Sequence, residues 1–362
     1  MRRSSKRRLT PPPTATALLA NGDQPQELKN VTPLGSTGAP ETIKFIASRP
    51  AELALDAIID DARHWHQRVD GQYIYGDETN TYVAIGDPRL GTPIEAQAEA
   101  WDRVLKLDDE TAQTFLYVMT RDLANDEIGS KTRVTVNEIL DYKGLKRHHS
   151  REHFLSHKTA ESNRLLLLSE IWVAVNDYVI DERGPRRKKQ KVRVYSRLID
   201  VAFEAKPETV NKSGVTTSET PYACRLNLGD WATPYRSIPT YVRETLAQIV
   251  RYGALEESQR FAMRIGLILM FVNNGPSSNR WKVRDLIARA RLQLPQYQPS
   301  RFRDRIETAL DKLQDDRIIG SWFYDKDKDL PTRGWLEHWL DWTVVIESTR
   351  PAISAAAAAT GS

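Results

Sequence analysis

From Asp108 onward the chain switches between two apolar patterns. Phe115, Leu116, Met119 and Leu123 share one face at helical spacing, and Asp108 or Asp109 can cap a helix that runs to Ala124. The β-branched stretch from Thr132 to Val136 predicts a short strand. Asn137 starts a second helix, Glu138 to about Tyr142, which Gly144 ends. A polar turn from Lys146 to Ser150 leads into a third helix reaching about Leu168. Two segments rich in β-branched and aromatic residues follow, IWVAVNDYVI (171–180) and VRVYSRLIDVAF (192–203), and the Gly-Pro turn between them predicts a hairpin.

The same order returns further on. A helix from Ser258 to Val272 precedes a short strand at Arg280 to Val283 and a helix from Arg284 to Leu292. Ser300 is the expected cap of a third helix, Arg301 to Asp315. A strand from Ile318 to Tyr324, a tip reading DKDKDLPTRG and a strand from Trp335 to Ile346 complete the set. Helix, short strand, helix, helix, hairpin is the order of a winged helix-turn-helix. The fold class expected is therefore α+β, with two tandem winged-helix domains.

Composition sets the boundaries. Residues 1–43 read as a disordered basic and Pro-rich tail, 44–205 as an acidic N-terminal segment plus the first winged helix, and 206–220 (KPETVNKSGVTTSET) as a polar linker. Residues 221–350 make the second winged-helix domain, and 351–362 a disordered tail. Ahead of the first winged helix, Ala51 to Val69 has an amphipathic pattern that predicts another helix. A single cysteine, Cys224, excludes an internal disulfide framework and a cysteine-based zinc site. The apolar stretch from Phe261 to Val272 contains Arg264 and is too short to cross a bilayer, and no apolar core follows the early arginines. A cytoplasmic protein with no membrane partner is expected.

Charge changes the picture more than composition does. Ala51 to Ser130 holds 17 acidic against 6 basic residues, whereas Lys131 to Ala205 holds 16 basic against 10 acidic. Ser258 to Arg317 holds 12 basic against 6 acidic. Segregation of this kind implies local surfaces for a polyanion. The densest run, RGPRRKKQK from Arg183 to Lys191, stands at the predicted tip of the first hairpin, where its charge can be aimed.

Double-stranded DNA is the expected partner. In a winged helix the third helix enters the major groove and the wing lies along phosphates. The candidates around the third helix of the first unit are Arg147, His149, Arg151, His153, Lys158, Asn163 and Arg164. At the wing they are Arg186, Arg187, Lys188, Lys189 and Lys191. The second unit offers Arg284, Arg301, Arg303 and Arg305, while its acidic wing tip should not favour phosphates. Trp335, Trp339 and Trp342 read as core rather than as stacking platforms.

Two tandem winged helices on a basic chain of this length resemble the replication initiator proteins of plasmids and related mobile elements, over about Leu107 to Ile346. The resemblance implies binding to repeats at an origin, recruitment of host helicase, dimerisation and a nucleoid- or plasmid-associated location. It leaves open which winged helix reads bases and which pairs. A transcriptional regulator with the same folds and a winged-helix adaptor that binds other proteins are the alternative readings.

Enzyme motifs are weak. No G-x-x-x-x-G-K-[ST] occurs. His64-Trp-His66 has the composition of a nickase metal pair, yet in the helix predicted there the two histidines point apart. His149, His153 and His157 share a helical face but read as exposed and basic, and so as polar or DNA-contacting rather than zinc ligands. No catalytic residue, metal or cofactor is expected.

Overall fold

A computed structural model describes residues 42–125, 131–145, 151–181, 189–210, 216–236, 240–243, 249, 252, 257–272, 280–325, 331 and 334–348. The predicted tails, apart from Thr42 and Ile43, lie outside these residues. So do the turn at 146–150, the tip at 182–188 and most of the second hairpin's tip. The fold is mixed α+β, and everything described belongs to one compact unit from Pro40 onward.

The chain begins with β1 (Thr42–Phe45), so Thr42 and Ile43 are strand rather than tail. Helix α1 (Arg49–Ile59) is capped by Ser48, whose side chain accepts the Ala51 amide, with proline in its first turn. The helix predicted through Val69 stops at Asp60. There the carboxylate takes the His64 backbone N–H and the His64 Nδ1, both at 2.7 Å, while Asp61 and Ala62 adopt positive φ. Trp65 turns back into the core and donates to the Ala57 carbonyl at 3.0 Å. A buried tryptophan beyond the helix end thus overrides the amphipathic pattern. His66 falls on a short strand, β2 (His66–Gln67), followed by β3 (Tyr73–Gly76), β4 (Thr81–Ile85) and α2 (Ile94–Leu105).

Helix α3 (Asp109–Ala124) has the predicted Asp108 cap, and Phe115, Leu116, Met119 and Leu123 are buried. Strand β5 (Thr132–Thr135) runs directly into α4 (Val136–Tyr142). Thr135, not Asn137, caps α4, in a reciprocal capping box with Glu138. Gly144 takes positive φ just after it. Helix α5 (Arg151–Glu170) passes without a break into β6 (Ile171–Asp181), then β7 (Lys189–Arg197), β8 (Ile199–Val210) and β9 (Thr216–Leu228). A 3-10 turn at Asp230–Ala232, the single turn α6 (Thr233–Arg236) and β10 (Thr240–Arg243) follow, and β10 pairs with β1.

Strand partners overturn two expectations. The basic hairpin β6–β7 does not close on β5. It extends the N-terminal sheet, in the order β2-β3-β4-β6-β7. The hairpin that closes on β5 is β8–β9, in the order β5-β9-β8. Lys206 to Val210 and Thr216 to Thr220, expected to be linker, are the far ends of these two long strands, in register as Lys206↔Thr220 and Pro207↔Glu219. Polar composition is equally at home in a solvated hairpin arm, and only pairing across the turn separates the two cases.

The second half contains α7 (Glu257–Val272), β11 (Arg280–Lys282), α8 (Val283–Arg289), α9 (Pro299–Asp315), β12 (Ile319–Asp325), α10 (Trp335–Leu340) and β13 (Thr343–Ser348). Gln298 in the left-handed region with Pro299 behind it opens α9, rather than Ser300. The strand predicted from Trp335 to Ile346 is a short helix and then a strand. Gly334 in the left-handed region starts the helix, and Trp339, fully buried, donates to Tyr324 Oη at 3.1 Å. The three strands pair in the order β11-β13-β12. Among the described residues no helix is long and apolar enough to cross a membrane.

The larger hydrophobic cluster runs from Ile46 to Ile346 through both halves, with Trp335 and Trp342 packed against it, and a small separate one holds Ile74, Tyr82, Ala84 and Ala174 with Tyr195 against it. The acidic N-terminal segment supplies much of the joint. Arg264, almost fully buried, meets Asp109 at 2.8 Å and Asp61 at 3.3 Å, and Arg260 reaches Asp109 at 2.5 Å. Arg289 pairs with Glu52, and Arg291 lies 3.5 Å from Asp56. Part of the excess positive charge of the second half is therefore cancelled inside the molecule.

Candidate nucleic-acid interface

Helix α5 is fixed by an ion pair in the core. Lys143, just after α4, donates to Glu161 at 2.8 Å, to Thr114 Oγ1 at 2.7 Å and to the Glu110 carbonyl at 3.0 Å, and Thr114 donates to the other Glu161 oxygen at 2.6 Å. Both charged side chains are within 2% of full burial. Burial pushes the Lys143 ammonium below its ordinary pKa, against the pull of Glu161. Three hydrogen bonds satisfy the ammonium, so α3, α4 and α5 are locked to one another at a single point. This pair carries no local signature in the sequence, since its members lie on different elements.

With Glu161, Ser162, Leu165 and Leu168 turned inward, α5 shows Ser156, Thr159, Asn163 and Leu166 to solvent. His153 is exposed near its start, and Lys158 lies over the Phe154 ring at 4.7 Å. Asn163 borders a groove of about 480 Å3 between α5 and α2, lined also by Arg103, Lys106 and Glu170. Arg164 is taken up by Glu110, by Glu161 at 3.3 Å and by Asp108 at 3.9 Å. It is an anchor of α5 rather than a cation aimed outward. Arg151 stands at the first position of α5, whereas Arg147 and His149 lie outside the described residues.

The β5-β9-β8 sheet has its own charges. Glu204 accepts from Arg133 at 2.9 Å and from Arg225 at 3.2 Å, and these two guanidinium groups hold its carboxyl below the usual range. Cys224, beside them on β9, is buried and its thiol is pushed up to about 12, which keeps it protonated.

The basic hairpin is different. Lys189 and Lys191 occupy β7, at register positions opposite Asp181 and Val179, while Arg186, Arg187 and Lys188 lie outside the described residues. Further along β7, Arg193 donates to Tyr195 Oη at 2.9 Å, and its guanidinium lies 5.9 Å from the centre of that ring. Arg197 and Arg89 lie 5.9 and 5.4 Å from the Trp172 ring centre. Arg89, Trp172, Arg193, Tyr195 and Arg197 were not singled out by the sequence reading. The alternation K-x-K-x-R-x-Y-x-R from 189 to 197 was the available signal.

In the second half every predicted arginine has a neighbour in the chain. Arg284 donates to Glu337 and Asp341, both at 3.2 Å, and Arg305 to Glu257 at 2.6 Å. Arg303 lies 3.4 Å from Glu307 and over Trp335 at 5.5 Å. Arg301, exposed at the start of α9, donates to the Gln298 side chain at 3.0 Å, leaving its charge uncompensated by that contact.

The enzyme motifs look different in three dimensions. His64 is bound to Asp60, and His66 stands on β2 with Trp65 buried between them, so the helical argument against a shared face does not apply. Among the described residues no group of three or more His, Cys, Asp or Glu is placed to hold a metal ion.

No family model matches the chain, and no curated protein sequence matches it. Solved structures of RctB domains 2 and 3 are similar to it. One, a selenomethionine derivative, has a TM-score of 0.46 at 9% identity, covering 83% of this chain and 99% of that one. A second has a TM-score of 0.43 at 8% identity, covering 82% and 96%. Likeness at this level carries no functional argument, which rests on the residues themselves.

Proposed function

We propose that this protein is a non-enzymatic, sequence-specific binder of double-stranded DNA built on two winged-helix units, and that it acts as a replication initiator of a plasmid or related mobile element. The observation that carries the proposal is a repeated topology. In each half a helix, a short strand and two helices come before two longer strands, with the hairpin β6–β7 inserted ahead of them in the first half and the short helix α10 between them in the second; the short strand pairs with the last strand, which pairs with its fellow: β5-β9-β8 and β11-β13-β12. That sheet order behind a helix-turn-helix is the winged-helix arrangement. In this reading α5 and α9 are the recognition helices, β8–β9 is the first wing and β12–β13 the second. The hydroxyl and amide groups on the open face of α5 suit base-edge and phosphate contacts. A homodimer and contacts with host helicase or other replication proteins belong to the same proposal, as does action in the cytoplasm at the nucleoid or plasmid.

The test is selection of duplexes from a random pool with purified full-length protein, followed by location of the recovered site. A site found as an array of direct repeats beside an AT-rich stretch supports initiation. A lone palindrome supports the regulator instead. Failure to retain any duplex at low salt overturns DNA binding and favours the adaptor.

A further inference from the structure

The registers of the five-stranded sheet put Arg193, Tyr195 and Arg197 at alternate positions of β7, on the face shared with Trp172 and Tyr82, and Lys189 and Lys191 continue the same spacing along the strand. Val192, Val194 and Ser196 take the opposite positions. Strand β7 is the sheet's edge. Alternate residues along a strand are ~6.8 Å apart, comparable to the spacing of successive phosphates along one strand of nucleic acid.

The two arginines of this row are oriented by aromatic groups rather than by direct ion pairs, although Arg197 lies within the field of Asp87. Among the described residues neither Arg193 nor Arg197 forms an ion pair with a carboxylate; their partners are the Tyr195 hydroxyl and ring and the Trp172 ring. The neighbouring acid, Asp87, is held by Arg89 at 2.8 Å, and Asp181 stands opposite Lys189. Rings already stacked with guanidinium groups are poor platforms for bases, but they fix planar donor forks that suit phosphate oxygens. Charge on an edge strand also discourages pairing with other strands. That role explains lysines, but not arginines clamped on aromatic faces.

We propose that this face of β7 is a second DNA contact, a row that holds the phosphate backbone of the bound duplex from a different sheet than the proposed wing. The inference rests on duplex binding as proposed above and adds a surface to it. A single residue, Leu198, separates β7 from β8. Trp231 binds that junction, donating from Nε1 to the Leu198 carbonyl at 2.9 Å and from its backbone N–H to Ser196 Oγ at 3.1 Å. Row and first winged-helix unit therefore move as one body.

The experiment compares full-length wild type, R193Q/R197Q and R193K/R197K by fluorescence anisotropy on duplexes carrying the selected site, on unrelated duplexes and on single strands, between roughly 50 and 200 mM salt. The glutamine variant removes two charges that would each neutralise a phosphate, so its slope of log K against log salt should fall in magnitude by about 1.8 on every duplex. Site preference should be kept, and the lysine variant should retain the slope. An unchanged slope in R193Q/R197Q overturns the row and leaves duplex binding standing. So does a loss confined to single strands, or an equal loss in the lysine variant. No duplex binding by wild type overturns both.

Discussion

Hairpins β6–β7 and β8–β9 follow each other in the chain and are built from similar strands, yet they belong to different sheets. The first extends an N-terminal sheet and shows arginines held by aromatic rings. The second closes on β5, and its Glu204 satisfies its own Arg225 and Arg133 of β5. The dense basic run sits on the hairpin that is not part of the three-stranded unit. Charge alone would have made that hairpin the wing. In the proposed winged-helix reading the strand partner decides which hairpin is the wing, and what decides how strongly a basic residue can attract a polyanion is whether a carboxylate has already claimed it.

The comparison can be broken most severely from below, at the pair that holds α5 under both hairpins. Glu161→Ala leaves the Lys143 ammonium buried and unpaired and should cost about 3–5 kcal/mol of stability by denaturant unfolding. A K143M/E161L double variant should recover much of that loss. If the two sheets are one cooperative body, probes on both will report a single transition, and two transitions would separate the hairpins. The junction comes next. A Cβ on Gly229 would collide with the Arg197 carbonyl oxygen, so Gly229→Ala must push β7 and the end of β9 apart and should cost about 1–3 kcal/mol, read as a lowered midpoint.

The remaining two predictions sharpen the electrostatic contrast. R133Q/R225Q, on the β5-β9-β8 sheet, should reduce the salt slope of duplex binding less than R193Q/R197Q does, because Glu204 already offsets those cations; an equal reduction would remove the distinction. The smallest effect concerns pH. The Glu204 carboxyl is held below its usual pKa by Arg133 and Arg225. Its stabilising contribution is thus complete above the unfolded carboxylate pKa and disappears as pH falls through the lower folded value. Melting temperatures of wild type and E204Q should differ near neutrality and converge in acid. A gap that widens in acid would reverse the assignment.

Much of the first unit was readable in the chain. The Asp108 cap, the spacing of Phe115, Leu116, Met119 and Leu123, and Gly144 after α4 mark local events whose physics lies within a few residues. Misreadings arose where two local patterns compete. Trp335 and Trp339 are four apart, which suits a helix, within a stretch aromatic enough to read as strand, and burial of Trp339 settled it. The acidic segment had no explanation in sequence because its partners, Arg260, Arg264, Arg289 and Arg291, lie far along the chain. Arg164, Arg284 and Arg305 looked available for the same reason.

By itself the sequence determined the Asp108 cap of α3, the end of α4 at Gly144, the apolar face of α3, and that basic residues alternate along 189–197, since capping, periodicity and turn chemistry act between near neighbours. Only the tertiary structure decided which hairpin pairs with β5 and which arginines, among the described residues, are taken up by a carboxylate. Backbone donors and acceptors are chemically alike in every strand, so a strand's partner is chosen by the core beneath it. An ion pair, likewise, is chosen by which surfaces that core brings together.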